Sequence, residues 1–305
     1  MKKSFLTFAV ALAAMATMSC SNNSAEGNAE GTDSTATEQT AEGEGEGETA
    51  ATNPFPWDFP QDVKLDAEPG QMALAPYTFY PGAVKDGKDL TTATLIFYNS
   101  KLQEVGDKTS KMGGDQIPNA LIIPLDKDAK AKKGDILLTW WQSGSGLERA
   151  IVKDASNPAE PIVDYLDLDY SDDPAKPGMA QKHGDKQLKP GSFNVLTDGE
   201  WQPGAQIACK KDNHWLVATL IRVEGDKVLA YCTGARVEAF NKADVKLVPF
   251  KENIKAGDMV WGKFAATYQP DYKVTKVDNE LGRVWVEHND RTEVKSICEV
   301  TKVLE

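Results

Sequence analysis

The feature of this sequence that most constrains its fold is a short pattern that occurs three times. Each copy opens with a glycine followed at once by a strand-forming run, and a second such run with a small residue at its start follows after a gap. The three openings are at Gly134, Gly204 and Gly257, and a fainter fourth copy begins at Gly70. Internal repetition of this kind indicates a chain built from several small units of one design.

Short apolar runs bounded by turn-forming residues dominate the rest of the chain. Residues 94–98, 136–141 and 227–231 are examples, and Gly, Pro, Asn and Asp separate such runs. Runs of this length, rich in β-branched and aromatic residues, are typical of strands. Helical periodicity is nearly absent beyond the N-terminal segment. We therefore predict an all-β protein.

The clearest copy runs from Pro203 to Phe250 and contains five predicted strands. They cover residues 206–210, 215–223, 227–232, 237–240 and 245–247. Five short sequential strands in so little chain indicate a small antiparallel barrel of the SH3-like kind.

The shared positions of the copies resemble the Tudor and Agenet pattern, which has a Gly-led strand, an aromatic before a small residue, and a hydrophobic–Tyr ending. The copy at Pro203 fills them with Gly204, Trp215, Ala218, Val228 and Tyr231. The preceding copy uses Gly134, Leu147, Ala150, Val163 and Tyr165, and the last keeps Gly257, Tyr272 and Val284 but has Val286-Glu287 in place of the Tyr. The resemblance covers roughly residues 131–305.

This resemblance implies three or four tandem SH3-like, Tudor-like barrels after an acidic tether. Residues 53–60 are rich in proline and aromatics, and we expect them to pack on the first barrel; a proline-rich recognition motif is the alternative. Most of residues 171–203 is interpreted as a loop or linker, with an irregular boundary strand around residues 193–196 as the alternative. The expected units are residues 54–130 with the N-terminal extension, 131–202 with the linker, 203–250 and 251–305.

The N-terminus has the pattern of an export signal. Lys2 and Lys3 precede a short apolar stretch that ends at Ser19-Cys20, so residues 1–19 are predicted to be a signal peptide. A small residue before a lone cysteine resembles the lipobox of bacterial lipoproteins of the Bacteroidota type. That resemblance implies a lipid anchor at Cys20 and an outer-membrane location, periplasmic or surface-exposed. An ordinary secretory signal is the alternative.

Residues 20–53 are predicted to be a disordered acidic tether. Positions 21–53 contain eight acidic residues and no Lys, Arg or aromatic residue, so this segment has little to bury. It accounts for much of the net charge of −12, and residues 54–305 carry −6. A mildly acidic body with mixed signs is not typical of nucleic-acid binding, so no nucleic-acid partner is expected.

Three cysteines follow Cys20 and allow two interpretations. Cys209 and Cys232 fall in neighbouring predicted strands and could form a disulfide after export. With Cys298, they could instead be three buried thiols. None of these cysteines has metal-ligand spacing.

Catalytic and metal signals are weak. The histidines are His183, His214 and His288, and none stands in a zinc motif or beside a nucleophile elbow. Ser143-Gly144-Ser145-Gly146 reads as a flexible turn. The acidic cluster lacks the spacing of a calcium loop; its members are Asp164, Asp167, Asp169, Asp172 and Asp173. We expect no enzyme activity, cofactor or metal.

Aromatic residues on the predicted strands are the best functional candidates. In SH3-like barrels a rim of aromatics can bind cations or extended peptides, although a small barrel also needs aromatics for its core. The candidates are Trp140, Trp141, Tyr165, Trp215, Tyr231, Trp261 and Tyr272. The expected function is non-catalytic binding of a protein, peptide or cell-wall component at faces between barrels. The alternatives are an assembly subunit of an outer-membrane complex and, less favoured, a hydrolase at a barrel junction.

Overall fold

A computed structural model describes residues 55–76, 90–91, 93–141, 146–167 and 186–304. Within these ranges the regular structure is β-strand, apart from three 3₁₀ turns at Asn119–Leu121, Lys242–Asp244 and Ile297–Glu299. The all-β prediction is therefore confirmed. The described residues belong to one compact unit, Thr52–Glu305. The predicted signal peptide, Cys20 and the acidic tether lie outside the described residues.

Twenty strands fall into four sets of five in chain order. Repeat 1 contains β1 to β5, namely Met72–Pro76, Phe97–Val105, Thr109–Met112, Asp115–Pro118 and Ile123–Pro124. Repeat 2 contains β6 to β10, namely Ile136–Trp140, Leu147–Asp154, Ile162–Tyr165, Lys186–Gln187 and Asn194–Leu196. Repeat 3 contains β11 to β15, namely Gln206–Lys211, His214–Glu224, Lys227–Cys232, Arg236–Asn241 and Val245–Leu247. Repeat 4 contains β16 to β20, namely Met259–Phe264, Thr267–Asp278, Arg283–His288, Arg291–Ser296 and Val300–Thr301.

All four repeats have the same topology. The first four strands form an antiparallel meander, and the fifth strand returns to pair with the first. In repeats 1, 3 and 4 a 3₁₀ turn leads into that fifth strand. The hydrogen-bonded path ends at an open edge in each repeat, so the sheets are curled but not closed by backbone pairing.

The repeated glycine has the same conformation and hydrogen bonds in every copy. Its φ is 91° at Gly70, 84° at Gly134, 90° at Gly204 and 93° at Gly257, a region that a residue without Cβ enters freely. The glycine N–H donates to the carbonyl oxygen of one residue on the second strand. The N–H of that same residue donates back to the carbonyl oxygen of the residue after the glycine. The second-strand residues are Leu102, Val152, Leu220 and Val274. Gly70, the faint copy in the sequence, thus opens an equivalent unit.

The repeats share one core as well as having cores of their own. The largest cluster combines repeat 1 residues with residues of the other three, among them Ile136 and Ile151 of repeat 2, Leu229 and Tyr231 of repeat 3, and Cys298 of repeat 4. Each fully buried aliphatic or aromatic side chain stabilises the fold by about 1.5–3 kcal/mol. The four repeats therefore depend on one another to bury their apolar side chains and are not independent folding units.

Backbone pairing also joins repeats 3 and 4. Trp215 and Leu216 of β12 pair with Tyr268 and Thr267 of β17, which merges the two sheets into one of ten strands. The apolar cluster under this junction contains Val217 and Tyr268. The two repeats are consequently held by main-chain hydrogen bonds and by a shared core.

The aromatic segment before β1 packs against repeat 1 and also reaches repeat 3. Trp57 and Phe59 are buried in the shared core. The Trp57 indole Nε1–H donates to the carbonyl oxygen of Val237 at 2.7 Å, and Asp58 forms an ion pair with Lys227 at 2.5 Å. The sequence predicted the contact with the first unit; the contact with β14 is a finding of the structure.

Candidate functional site

The seven aromatic candidates occupy four separate places, of which the first is the core of repeat 2. Trp141 and Tyr165 are buried there with ring centroids 5.3 Å apart. The ammonium of Lys186 lies 4.2 Å from the Trp141 ring. A lysine of the same repeat therefore occupies the position over the Trp141 ring that a cationic ligand would take.

Trp140 and Tyr231 meet repeat 1 instead. The half-buried Trp140 donates its indole N–H to the carbonyl oxygen of Phe97 at 3.1 Å, and the Tyr231 ring packs edge-on against Phe97 at 5.1 Å. The adjacent Trp140 and Trp141 do point to opposite faces, as strand alternation predicts. The face away from the core of repeat 2 is covered by repeat 1, so neither indole is exposed.

Trp215 and Trp261 flank the junction of repeats 3 and 4, and both are half-buried against the cluster there. Lys246 and Lys210 lie 5.3 Å and 5.9 Å from the Trp215 ring. Tyr272 is fully buried in repeat 4, where His288 stacks on its ring at 4.0 Å. Among the described residues the seven aromatics therefore do not converge on one rim.

A cleft between repeats 2 and 4 has a volume of about 480 Å³. One wall is the cross-strand pair Ile136 and Ile151 of β6 and β7. The facing wall is the cross-strand pair Val277 and Val284 of β17 and β18. Ligand sites in proteins commonly have volumes of roughly 300–1,000 Å³ and apolar walls of this kind.

The connection between repeats 3 and 4, residues 249–254, closes the third side of the cleft. The Phe250 N–H donates to Asp198 at 2.5 Å. Glu252 accepts hydrogen bonds from the Thr301 hydroxyl at 3.0 Å and the Lys302 N–H at 2.9 Å. Because both ends of this connection are tied to other parts of the fold, the wall is already formed before any ligand binds.

Polar groups stand at the mouth of the cleft. Lys251, Asn253 and Asn279 are exposed there, while Ile136 and Ile151 lie below them and are buried. The lining contains no Ser, Thr, Cys or His. The cleft therefore offers apolar contact, the Lys251 cation, the Glu252 carboxylate and two amides, which are groups for binding and orientation.

Sequence reasoning expected concave faces between adjacent units but did not select these residues. The cleft lies between repeats 2 and 4, which are not consecutive, and its wall of residues 249–254 joins repeat 3 to repeat 4. The only available signal was the pair Phe250 and Ile254, two large apolar residues in a segment otherwise reading as a connection.

A buried polar network lies at the junction of repeats 2, 3 and 4. Arg149 of β7 pairs with Asp167 at 2.5 Å and also hydrogen-bonds the Gln206 side chain. Gln206 in turn donates to the Tyr268 hydroxyl at 2.9 Å. Burial by itself lowers the pKa of Arg149, but the carboxylate of Asp167 raises it above its ordinary value. This network holds the repeats together and contains no exposed reactive group.

The acidic cluster of the sequence divides between described and undescribed residues. Asp167 is bound to Arg149, and Asp164 is buried with Lys153 at 3.5 Å. Asp169, Asp172 and Asp173 lie outside the described residues. Within the described ranges no three His, Cys, Asp or Glu side chains come together as a metal site.

The described cysteine and histidine candidates do not line the cleft. Cys209, Cys232 and Cys298 are buried free thiols, and burial raises the pKa of Cys232 to about 12. Strand β12 lies between the strands of Cys209 and Cys232; two strand spacings are about 9–10 Å, more than a disulfide spans. His214 is exposed and is not part of the cleft lining. His183, Ser143 and Ser145 lie outside the described residues.

No protein-family model matches the sequence, and no curated protein matches it. In the described part of the chain no helix has the length and apolar character needed to cross a bilayer. The function is therefore argued from the geometry of the molecule.

Proposed function

We propose that this protein is an envelope lipoprotein that binds a ligand, without chemical change, in the cleft between repeats 2 and 4. The observation that carries the proposal is the cleft itself, a space of about 480 Å³ between two apolar strand pairs. The walls are built from three parts of the chain far apart in sequence. Binding energy would come from the apolar walls, and orientation from Lys251, Asn253 and Asn279 at the mouth.

The makeup of the cleft favours binding over catalysis. Acyl and glycosyl transfer require a nucleophile or a pair of carboxyl groups near the reacting atom. The lining has Glu252 alone, and this carboxylate already accepts hydrogen bonds from the Thr301 hydroxyl and the Lys302 N–H. This makes a hydrolase at this junction the weaker proposal.

The four repeats are proposed to be SH3-like barrels of the Tudor and Agenet kind. Support comes from the order of strands, in which the fifth returns to the first, and from the glycine opening repeated at Gly70, Gly134, Gly204 and Gly257. In this proposal the barrels are a scaffold, and their packing creates the site. The ligand classes that suit a cleft with apolar walls and a polar mouth are a peptide, a protein segment or a cell-wall component.

Filling the cleft tests this function. We expect Ile254→Trp to lower retention of the full chain on purified cell-wall sacculi or on solubilised envelope proteins by about tenfold, because the indole would occupy the apolar space. Met259→Trp is the matched control, since Met259 is exposed outside the cleft lining and the substitution adds an indole to the same repeat. Binding is measured by co-sedimentation and pulldown. Binding that is unchanged in Ile254→Trp, or that is absent for the unmodified chain, would contradict the proposal.

The lipid anchor is proposed from the sequence around Cys20. We expect Cys20→Ala to move the protein from the membrane fraction to the soluble fraction, because two acyl chains are needed for stable anchoring at about 0.8 kcal/mol per buried CH₂. Fractionation with immunoblotting measures this, and intact mass reports the acyl chains. Asn22→Ala should leave the distribution unchanged. Membrane association that persists without Cys20 would contradict the anchor.

A second function, an assembly subunit of an outer-membrane complex, is favoured by the shared core. Residues from all four repeats enter one cluster, including Leu229 of repeat 3 and Cys298 of repeat 4. Such packing produces a rigid body suited to holding partners at fixed positions. In that case a partner would bind the outside of the body, and cleft filling would have no effect on assembly.

A further inference from the structure

The hairpins formed by the third and fourth strands of repeats 3 and 4 are equivalent residue by residue. In repeat 3, β13 and β14 pair from Lys227↔Asn241 to Cys232↔Arg236. In repeat 4, β18 and β19 pair over the same length, from Arg283↔Ser296 to His288↔Arg291. The equivalent positions are Leu229 and Trp285, Tyr231 and Glu287, Val237 and Thr292, and Ala239 and Val294.

The hairpin of repeat 3 is covered by other parts of the chain. At the outer edge of β14, the Ala235 carbonyl oxygen accepts from the Leu95 N–H at 2.7 Å. The Val237 carbonyl oxygen accepts from the Trp57 indole N–H at 2.7 Å. On the adjoining face, Leu229 is fully buried. The edge of this hairpin thus accepts one hydrogen bond from the backbone of a non-helical segment and one from the indole of an aromatic segment, and its face lies in the shared core with Trp57.

The equivalent face of repeat 4 presents a tryptophan and a valine. Trp285 pairs with Val294 on β19 and with Lys276 on β17, so the three side chains form one row across the sheet. Trp285 and Val294 are half-buried, and the Lys276 ammonium lies 4.2 Å from the indole ring. In repeat 3 the corresponding leucine is completely covered. Within the described residues, the row of repeat 4 stays partly exposed, with Lys276 over part of the indole.

The edge of β19 also has unused backbone groups. The Ile297 N–H donates to the Gly282 carbonyl oxygen, which fixes the alternation of hydrogen bonds between β18 and β19. In this alternation, the backbone N–H and C=O groups of Lys295 and Glu293 point toward β18. Those of Val294 and Thr292 point away from the sheet. No described residue hydrogen-bonds these outward groups. An edge of this kind is a template for an added strand.

We propose that the β18–β19 hairpin is a docking site for an extended, aromatic-bearing segment of a partner protein, which pairs with β19 through Thr292 and Val294 and packs its aromatic on Trp285. The type of occupant follows from repeat 3, where the aromatic segment containing Trp57 docks at the equivalent hairpin. Added strands gain affinity from main-chain hydrogen bonds and specificity from side chains on alternate positions. The site lies outside the cleft lining and stands independently of the function proposed for the cleft.

Linear twelve-residue peptides selected from a displayed random library on the full chain provide the probe. We expect the enriched peptides to carry Trp, Phe or Tyr and to follow no helical pattern. Thr292→Pro removes the outward N–H without breaking a β18–β19 hydrogen bond and should weaken binding about tenfold, whereas Thr292→Val keeps this N–H and should bind as before. Trp285→Ala should weaken binding about thirtyfold, as loss of a central aromatic contact does. Affinities are measured by calorimetry, and circular dichroism checks the fold.

Hydrogen exchange of the unmodified protein gives a second measurement that needs no variant. Bound peptide should slow exchange at the Thr292 and Val294 amides and leave the amides of residues 249–254 unchanged. Failure to enrich peptides, binding that is indifferent to both Thr292→Pro and Trp285→Ala, or protection at the cleft instead of β19 would overturn the docking site. Dimerisation of the full chain that Thr292→Pro abolishes would assign the hairpin to a second copy and would also overturn it.

Discussion

Replacing Arg149 with Met is expected to lower the free energy of unfolding by about 3–5 kcal/mol, because it removes one partner of a buried ion pair. The Arg149 side chain is only 8% exposed and reaches Asp167 through Nη2 at 2.5 Å. Its backbone N–H donates to the same carboxylate at 2.7 Å, and Nη1 donates to Gln206. The substitution would leave Asp167 without its counter-charge and Gln206 without its donor at the junction of three repeats.

The stability lost in Arg149→Met should be smaller at low pH, and the direction of this pH dependence follows from the pKa of Asp167. Burial by itself raises this pKa, but Arg149 lowers it below the ordinary value. A lowered pKa contributes stability that is present above about pH 4, the unfolded value, and is lost as the pH falls through the folded value. In Arg149→Met the carboxyl gains a proton more easily when folded. The difference between the two proteins should therefore be larger at pH 7 than at pH 3.

Urea unfolding at the two pH values measures both effects. Arg236→Met is the matched control, because Arg236 is exposed at the start of β14 and its loss should change stability by no more than about 0.5 kcal/mol. If Arg149→Met costs no more than Arg236→Met, or if its cost is the same at pH 3, the buried pair does not hold the repeats together.

Gly146→Ala is expected to be the second severe change, with a loss of about 2–5 kcal/mol from backbone strain and overpacking. Gly146 has a φ of 76°, and a Cβ built there would lie 1.9 Å from the carbonyl oxygen of Phe97. That oxygen belongs to β2 and also accepts the Trp140 indole N–H. Neither backbone can move without separating repeats 1 and 2.

Gly134→Ala separates strain from overpacking. Gly134 has a similar φ of 84°, but a Cβ there would meet no atom within 4 Å. Gly134→Ala should therefore lower the free energy of unfolding only by the backbone strain, about 1–2 kcal/mol. Thermal or urea unfolding of both variants measures the difference. Equal losses at the two positions would show that repeat 1 does not approach Gly146 closely.

The local chemistry of the sequence was enough to predict the strands and the repeated turn. Short apolar runs, β-branched residues and separating turn formers identified β11 to β15 nearly to the residue, because those signals act between neighbours in the chain. The glycine opening was equally local, since a left-handed φ excludes most other residues. It predicted units at Gly134, Gly204 and Gly257, and the weaker signal at Gly70 was also real.

The exposure of the aromatic candidates could not be predicted from these local signals. Trp140 and Trp141 were correctly expected on opposite faces, but the structure covers both, one by its own repeat and the other by Phe97 of repeat 1. Exposure depends on which repeat faces which, and strand periodicity contains no information about that. Tyr231, by contrast, lies on a face that repeat 1 covers through Phe97, and its burial could not be read from its own strand.

Strands in repeated, glycine-opened units follow from the amino-acid sequence, because backbone conformation and alternation depend on adjacent residues. The cleft between repeats 2 and 4 and the partly exposed hairpin of repeat 4 follow instead from how the repeats pack. Those outcomes depend on how residues more than a hundred positions apart are placed: Ile136 and Val284 line facing walls of the cleft, and the Trp57 indole N–H donates to Val237 at the equivalent hairpin. Such placements are decided by the packing of whole repeats, which signals between neighbouring residues do not describe.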